Sequence, residues 1–321
     1  MSAAIFDDFA DRVFMQNEDF PGALRRLDAP YFLDGEGSAG VLGTQYGATT
    51  PDGAAVTIIR LHDQMVESMR DVDRFVGTLG SRAHRSATPG SILGAGITPA
   101  GGVFVVGARD MGISLADRLM RDGSLSSKDL REIAVRSAVL LEEYCSTGIC
   151  HGLVMPQTVM ITTDGGVMFR WGGLFTAFRA AGVTPSDIGR LLHFNSYLAP
   201  ELRDASTENA TSDVFSLGAT LYEALTGRPP FGGRTTATVM AAVLADGNEP
   251  RDRLSSEALR AVVLRAIERD PHDRWQDPTH FRNALAPPVA STPGAVGVGK
   301  QGCLGMVVLG VGALVVRSTI R

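Results

Sequence analysis

The chain is predicted to adopt an α+β architecture in which a small β-rich part precedes a larger helical part, and three observations lead there. Glycine-punctuated, alternating apolar segments fill residues 31–61, the pattern of an antiparallel meander. Helical periodicity dominates later, over Leu130 to Tyr144, Val214 to Leu225 and Glu257 to Ile267. The 321 residues are 44% apolar and 20% charged, a composition that folds and that fills one large core or two modest ones.

Taken in order, the N-terminal extension, residues 1–30, begins with Ile5, Phe6, Phe9, Val13 and Phe14 on one side of a helix and acids on the other. Asp7, Asp8 and Asp11 stand where a secretory signal would be basic and then apolar, so no export is expected. From Tyr31 an apolar start leads into Gly35-Glu36-Gly37-Ser38-Ala39-Gly40-Val41, and Pro51-Asp52-Gly53 makes a turn before the β-rich run from Ala54 to Leu61. The glycines at 35, 37 and 40 form a G-x-G-x-x-G-x-V pattern between two strands. That setting disfavours a dinucleotide fingerprint, which needs a strand feeding a helix, and leaves either a phosphate-covering flap or an ordinary turn. In the first long helix Ile133, Ala134, Ala138, Leu140 and Leu141 share one face.

Residues 286–300 have the Pro, Gly and small-residue content of a flexible linker. Gly302 to Val316 carries no charge, within an expected tail helix over 301–317. At about 1.5 Å per residue this run covers about 22 Å, short of a ~30 Å hydrocarbon layer unless Lys300 and Arg317 snorkel. Membrane contact through residues 302–316, with a cytoplasmic body held at the inner membrane, is the expectation. A net charge of -5 provides no basic footprint, which argues against nucleic acid as a partner. Cys145, Cys150 and Cys303 show neither disulfide nor metal-ligand spacing and are expected to be free thiols.

Five ordered motifs narrow the fold. Gly148-Ile149-Cys150-His151-Gly152-Leu153-Val154-Met155-Pro156-Gln157-Thr158 follows a helix and precedes a Thr163-Asp164-Gly165-Gly166 turn. Tyr197-Leu198-Ala199-Pro200-Glu201, Ser212-Asp213-Val214-Phe215-Ser216-Leu217-Gly218, Thr226-Gly227-Arg228-Pro229-Pro230-Phe231 and Arg269-Asp270-Pro271-His272-Asp273-Arg274-Trp275 come after it. In order and spacing these segments resemble bacterial Ser/Thr protein kinases over about Tyr31 to Leu285. The resemblance implies a bilobal kinase-like fold, with an N-lobe over 31–108 and a C-lobe over 109–285. It also implies structural roles: Glu201 and Arg274 as the buried ion pair of the large lobe, Asp213 holding the catalytic-loop backbone, and His151 packed beneath that loop.

The chemistry-bearing positions of the family read differently here. The catalytic-loop Asp falls on Leu153, the loop Lys on Met155, the metal-binding Asn on Thr158, the metal-binding Asp on Trp171 and the strand Lys on Ile59. Hydrocarbon cannot orient a hydroxyl nucleophile, and indole is a donor only. A one-residue slip offers Arg170 for Trp171 and Arg60 for Ile59, and restores no carboxylate. Asp71, Asp73 and Glu67 lie near the usual helix partner of the strand Lys. Gly152 stands where many kinases carry a phosphate-binding Arg.

These departures predict a pseudokinase, not an enzyme, without resident cofactor or metal, that acts as a scaffold or regulatory subunit through protein–protein interaction. The partner would be an active kinase or a membrane complex. Two alternatives stay open: a nucleotide sensor that takes ATP weakly at Gly35, Gly37 and Gly40 without magnesium, and a kinase-fold enzyme with rearranged chemistry.

Overall fold

The computed structural model describes residues 31–82, 90–98, 101–203, 207–231 and 257–285. All of them fall within one compact unit that ends at Ala286. The N-terminal extension, the linker over 286–300 and the expected tail helix lie outside the described residues, so the fold class stands for the bilobal body alone. Among the described residues no helix is long and apolar enough to cross a membrane.

Alternation along the meander yields an antiparallel sheet. Strands β1 (Phe32–Leu33), β3 (Gly43–Thr49), β4 (Ala55–Leu61), β6 (Val103–Ala108) and β5 (Ile92–Ile97) are hydrogen-bonded in that order, and β2 (Ser38–Ala39) pairs with β3 from the glycine flap. Both faces are covered, because strand side chains alternate between them. Tyr46, Val56, Ile58, Phe104 and Val106 form a small outer cluster. Ile59, Leu61, Val103 and Val105 point the other way, into the main core. Ile59 therefore faces the core at 3% exposure, whereas Arg60 turns outward to Asp63 at 3.3 Å.

Two helices follow β4: α1 (Asp63–Glu67) and α2 (Val72–Arg82). Asp71 caps α2 by accepting the Arg74 N–H at 2.8 Å, so it serves the backbone. Asp73 and Glu67 are exposed. Residues 109–112 then link the sheet to the C-lobe, which opens with β7 (Ile113–Ser114), α3 (Leu115–Asp122) and α4 (Ser127–Ser146). Ser114 and Ser126 cap α3 and α4, each accepting the N–H three residues on. The inner face of α4 buries Leu130, Ile133, Ala134, Ala138 and Leu141, while Leu140, expected on that face, is only half-buried. The hairpin β8 (Val159–Ile161) and β9 (Val167–Phe169) comes next, then α5 (Leu174–Ala180), α6 (Pro185–Leu191), α7 (Pro200–Arg203), α8 (Ala210–Thr226), α9 (Glu257–Ala266) and α10 (Pro278–Leu285).

Helix α8 is buried almost all round. Its start is fixed by an Asn209–Ser212 capping box and its end by Gly227 at φ 74°. Arg274 is fully buried against it, with its guanidinium 4.7 Å from the Phe215 ring centroid. It reaches Glu201 through two 2.8 Å hydrogen bonds and donates to the carbonyls of Glu268, Arg269 and Thr211. The bidentate fork ties α7 to the loop ahead of α10. Replacing Arg274 by Ala would leave the Glu201 carboxylate without its cation and three carbonyls without a donor. The expected loss is about 3–5 kcal/mol, read as a lowered midpoint in urea unfolding, with Arg274→Lys recovering only part of it.

Candidate active site

The loop between α4 and β8 is set by its backbone. Gly148, at φ 72°, turns the chain out of α4. Asp213, in the first turn of α8, then accepts the N–H groups of His151 and Gly152 at 2.8 Å each. The His151 ring is enclosed between Tyr144 and Phe169, with centroids 5.3 and 4.9 Å away. Its Nδ1 accepts the Leu153 N–H at 3.2 Å and its Nε2 lies 3.1 Å from the Arg170 carbonyl. These partners require the tautomer protonated at Nε2. Burial holds the His151 pKa down at about 4 and pushes Asp213 up to about 7, against the pull of its two backbone donors.

Within this frame Leu153 and Met155 are fully buried. The Thr158 hydroxyl is spent internally, accepting the Met155 N–H at 2.9 Å and pointing to the Leu153 and Met155 carbonyls at 2.7 and 3.0 Å. Trp171, 4% exposed and at φ 68°, opens the turn into α5. Gly152 is at φ 76°, and a Cβ there would come within 2.9 Å of the Phe175 Cβ. The Phe175 Cβ thus crowds the first atom that any side chain at 152 would add. Side chains at Ile59, Leu153, Met155, Thr158 and Trp171 do not make a magnesium site, which requires oxygen ligands. No cluster of three or more His, Cys, Asp or Glu that could hold a metal occurs among the described residues.

The flap glycines answer to their own strand. A Cβ on Gly37 would meet Tyr46 and Thr44 at 2.5 Å, and one on Gly40 would meet the Gln45 amide at 2.5 Å, whereas at Gly35 there is open space. A cavity of about 740 Å³ opens beside the flap, lined by Gly40, by His62, Asp63 and Gln64 at the start of α1, and by Leu191 and His193. No catalytic-loop residue lines it.

Arg170 and Asp110 were missing from the sequence-derived site. The Arg170 guanidinium donates to Asp110 at 3.1 Å and to the Gln157 carbonyl at 2.8 Å, and it stacks 4.2 Å over Trp171. A charge ending the apolar run Val167–Phe169 was the available signal.

Two lobes, a loop fastened by Asp213 and a Glu201–Arg274 fork define a kinase-fold protein. The family described as Protein kinase domain matches residues 103–287, and the chain belongs to that family. It is 31% identical over 192 residues to the serine/threonine-protein kinase PknB of Mycobacterium tuberculosis, covering 59% of this chain and 31% of that protein. PknB of Mycolicibacterium smegmatis is 31% identical over 177 residues, 54% of this chain and 28% of that protein. The chain thus spans about a third of the length of these relatives. A solved structure of Rad53 1-466 in complex with AMP-PNP superposes with a TM-score of 0.59 at 21% identity, covering 79% of this chain and 64% of that one, a likeness of fold. Family membership corrects the expectation that the chain is not an enzyme. A protein kinase domain with Ser/Thr kinase relatives points to a kinase enzyme, whatever the expected reading of positions 153, 155, 158 and 171.

His151 and Asp213 set opposing pH slopes. His151, with its pKa lowered from 6.5 to about 4, adds stability above pH 6.5 that is lost as pH falls toward 4. Asp213, with its pKa raised from 3.8 to about 7, adds stability below pH 3.8 that is lost as pH rises toward 7. Asp213→Asn removes the second slope. Urea unfolding at pH 4.5, 5.5 and 6.5 is expected to show stability rising more steeply with pH in the variant than in the parent. Equal slopes would mean that Asp213 does not titrate in this window.

Proposed function

We propose that this kinase-family chain works as a regulatory subunit that acts through protein–protein interaction, with the surface of its body meeting the partner. The observation that carries this reading is the packing of the catalytic loop. Leu153, Val154, Met155 and Thr158 are fully buried, and the loop's one hydroxyl is committed to its own backbone. Exposed apolar side chains meanwhile follow one another along the interlobe linker and the elements after it: Met111 at 55%, Ile113 at 38% and Met120 at 86%. Apolar side chains on a polar surface are what a partner would cover. The uncharged run 302–316 would bring such a body to a bilayer, and an active kinase or a membrane assembly fits the role.

Family membership favours a second reading, a kinase whose phosphoryl transfer is carried by residues other than those at the usual positions. Transfer of labelled phosphate to protein by the purified chain would favour it.

The test of the first reading is affinity capture from membranes with the full chain, with a chain ending at Leu285, and with a Met111→Asp/Met120→Asp variant. The double variant is expected to lose the companion proteins while its free energy of unfolding stays within about 0.5 kcal/mol of the parent. Loss of membrane sedimentation on ending the chain at Leu285 would assign anchoring to the tail. An unchanged companion set in the double variant would exclude this surface.

A further inference from the structure

The interlobe cleft of a kinase fold lies between the sheet, the linker and the turn that ends at Trp171. In this chain Arg170 directly precedes Trp171 and its guanidinium reaches Asp110 on the linker, so the side chain bridges the turn and the linker. Each part of the residue is committed. Its N–H donates to the Thr158 carbonyl at 3.0 Å, its carbonyl faces His151 Nε2, and Nε reaches the Gln157 carbonyl at 2.8 Å. Nη1 pairs with Asp110 at 3.1 Å, and the flat face lies 4.2 Å over the Trp171 ring.

Only 14% of the Arg170 side chain and 17% of the Asp110 side chain are exposed, so this is an ion pair largely withdrawn from water. A surface pair contributes little, but opening a buried one leaves two uncompensated charges. Burial pushes the Asp110 carboxyl upward and Arg170 opposes that shift, so the carboxylate depends on the guanidinium beside it. The small lobe also closes onto the same place. Gly90, at φ 79° just ahead of β5, lies so near the Phe169 carbonyl that any Cβ would strike it, with the Arg170 Cα next to that contact.

We infer that the Arg170–Asp110 pair, stacked on Trp171, is a latch that occupies the interlobe cleft and excludes an adenine nucleotide, making Arg170 the residue that decides whether this cleft takes a ligand. The latch and a bound base compete for one space. Nucleotide affinity is therefore lowered by the whole cost of opening the pair, as for any site whose competent form is a small fraction of the population. This is independent of the partner-binding reading, since it concerns the cleft and not the outer surface.

The test measures ADP binding, without metal, by titration calorimetry on the full chain and on two variants. Arg170→Met keeps an apolar stem over Trp171 and leaves Asp110 to take up a proton. Arg170→Met/Asp110→Val removes both charges and strands neither. The parent is expected to bind ADP no tighter than about 1 mM, and at least one folded variant at least tenfold tighter, equivalent to about 1.4 kcal/mol. Variants that fold, by circular dichroism, and bind ADP no better than the parent would overturn the latch. So would a parent that itself binds ADP at micromolar concentration, a result that does not depend on how the variants behave.

Discussion

The buried carboxylate of Asp213 is the constraint around which the large lobe is organised. It lies in the first turn of α8, 1% exposed, and takes both of its hydrogen bonds from the backbone of the loop that α4 delivers. A helix N-terminus is favourable for negative charge, so the carboxylate is stabilised by its own helix as well as by the loop N–H groups. With residues 151 and 152 fixed, His151 bonds in both directions, to the Leu153 N–H and to the Arg170 carbonyl. One acid thereby sets the path of the catalytic loop and, through the imidazole, the position of the strand end that carries Arg170 and Trp171.

That frame is separable from the chemistry it supports in other members of the family. Asp213 and His151 bond to backbone groups and Glu201 and Arg274 to each other, and none of these bonds uses the side chain at 153, 155, 158 or 171. The substitutions then follow a common physical direction. Leucine, methionine and a self-bonded threonine let the loop pack as core, and Gly152 lets Phe175 close down on it. A polar side chain at 153 or 155 would be buried without water, and would need a partner that the packed loop does not offer.

Much of this was legible in the sequence because it is local or ordered along the chain. The meander could be read from alternation and turn residues, α4 and α8 from their periods, and the fork and loop anchor from five motifs in sequence order. The reading of positions 59, 153, 155, 158 and 171 against the family pattern drew on the same ordering, since each is one position in a register. The sequence did not disclose how the space left behind is filled. Arg170 and Asp110 are 60 residues apart and meet only because the hairpin β8–β9 folds back beneath the linker. Gly152 reads as a lost arginine in sequence, and only the approach of Phe175 shows why a side chain there has no room. Membership of an enzyme family was underweighted for a related reason: missing ligands are visible residue by residue, whereas family membership is a property of the whole pattern.

The two lobes are joined by contacts of opposite character. At one side α2 and α5 meet through Phe75 and Phe178, with ring centroids 5.0 Å apart, and the N–H groups of Arg70 and Asp71 reach the Ala181 carbonyl at 2.8 and 3.2 Å. This contact is apolar and backbone-bonded, and it does not titrate. At the other side stands the Arg170–Asp110 pair, whose strength depends on both charges being present and dry. The second fastening is conditional because neutralising either charge removes it, whereas no change of charge loosens the two aromatic rings or the two amide hydrogen bonds.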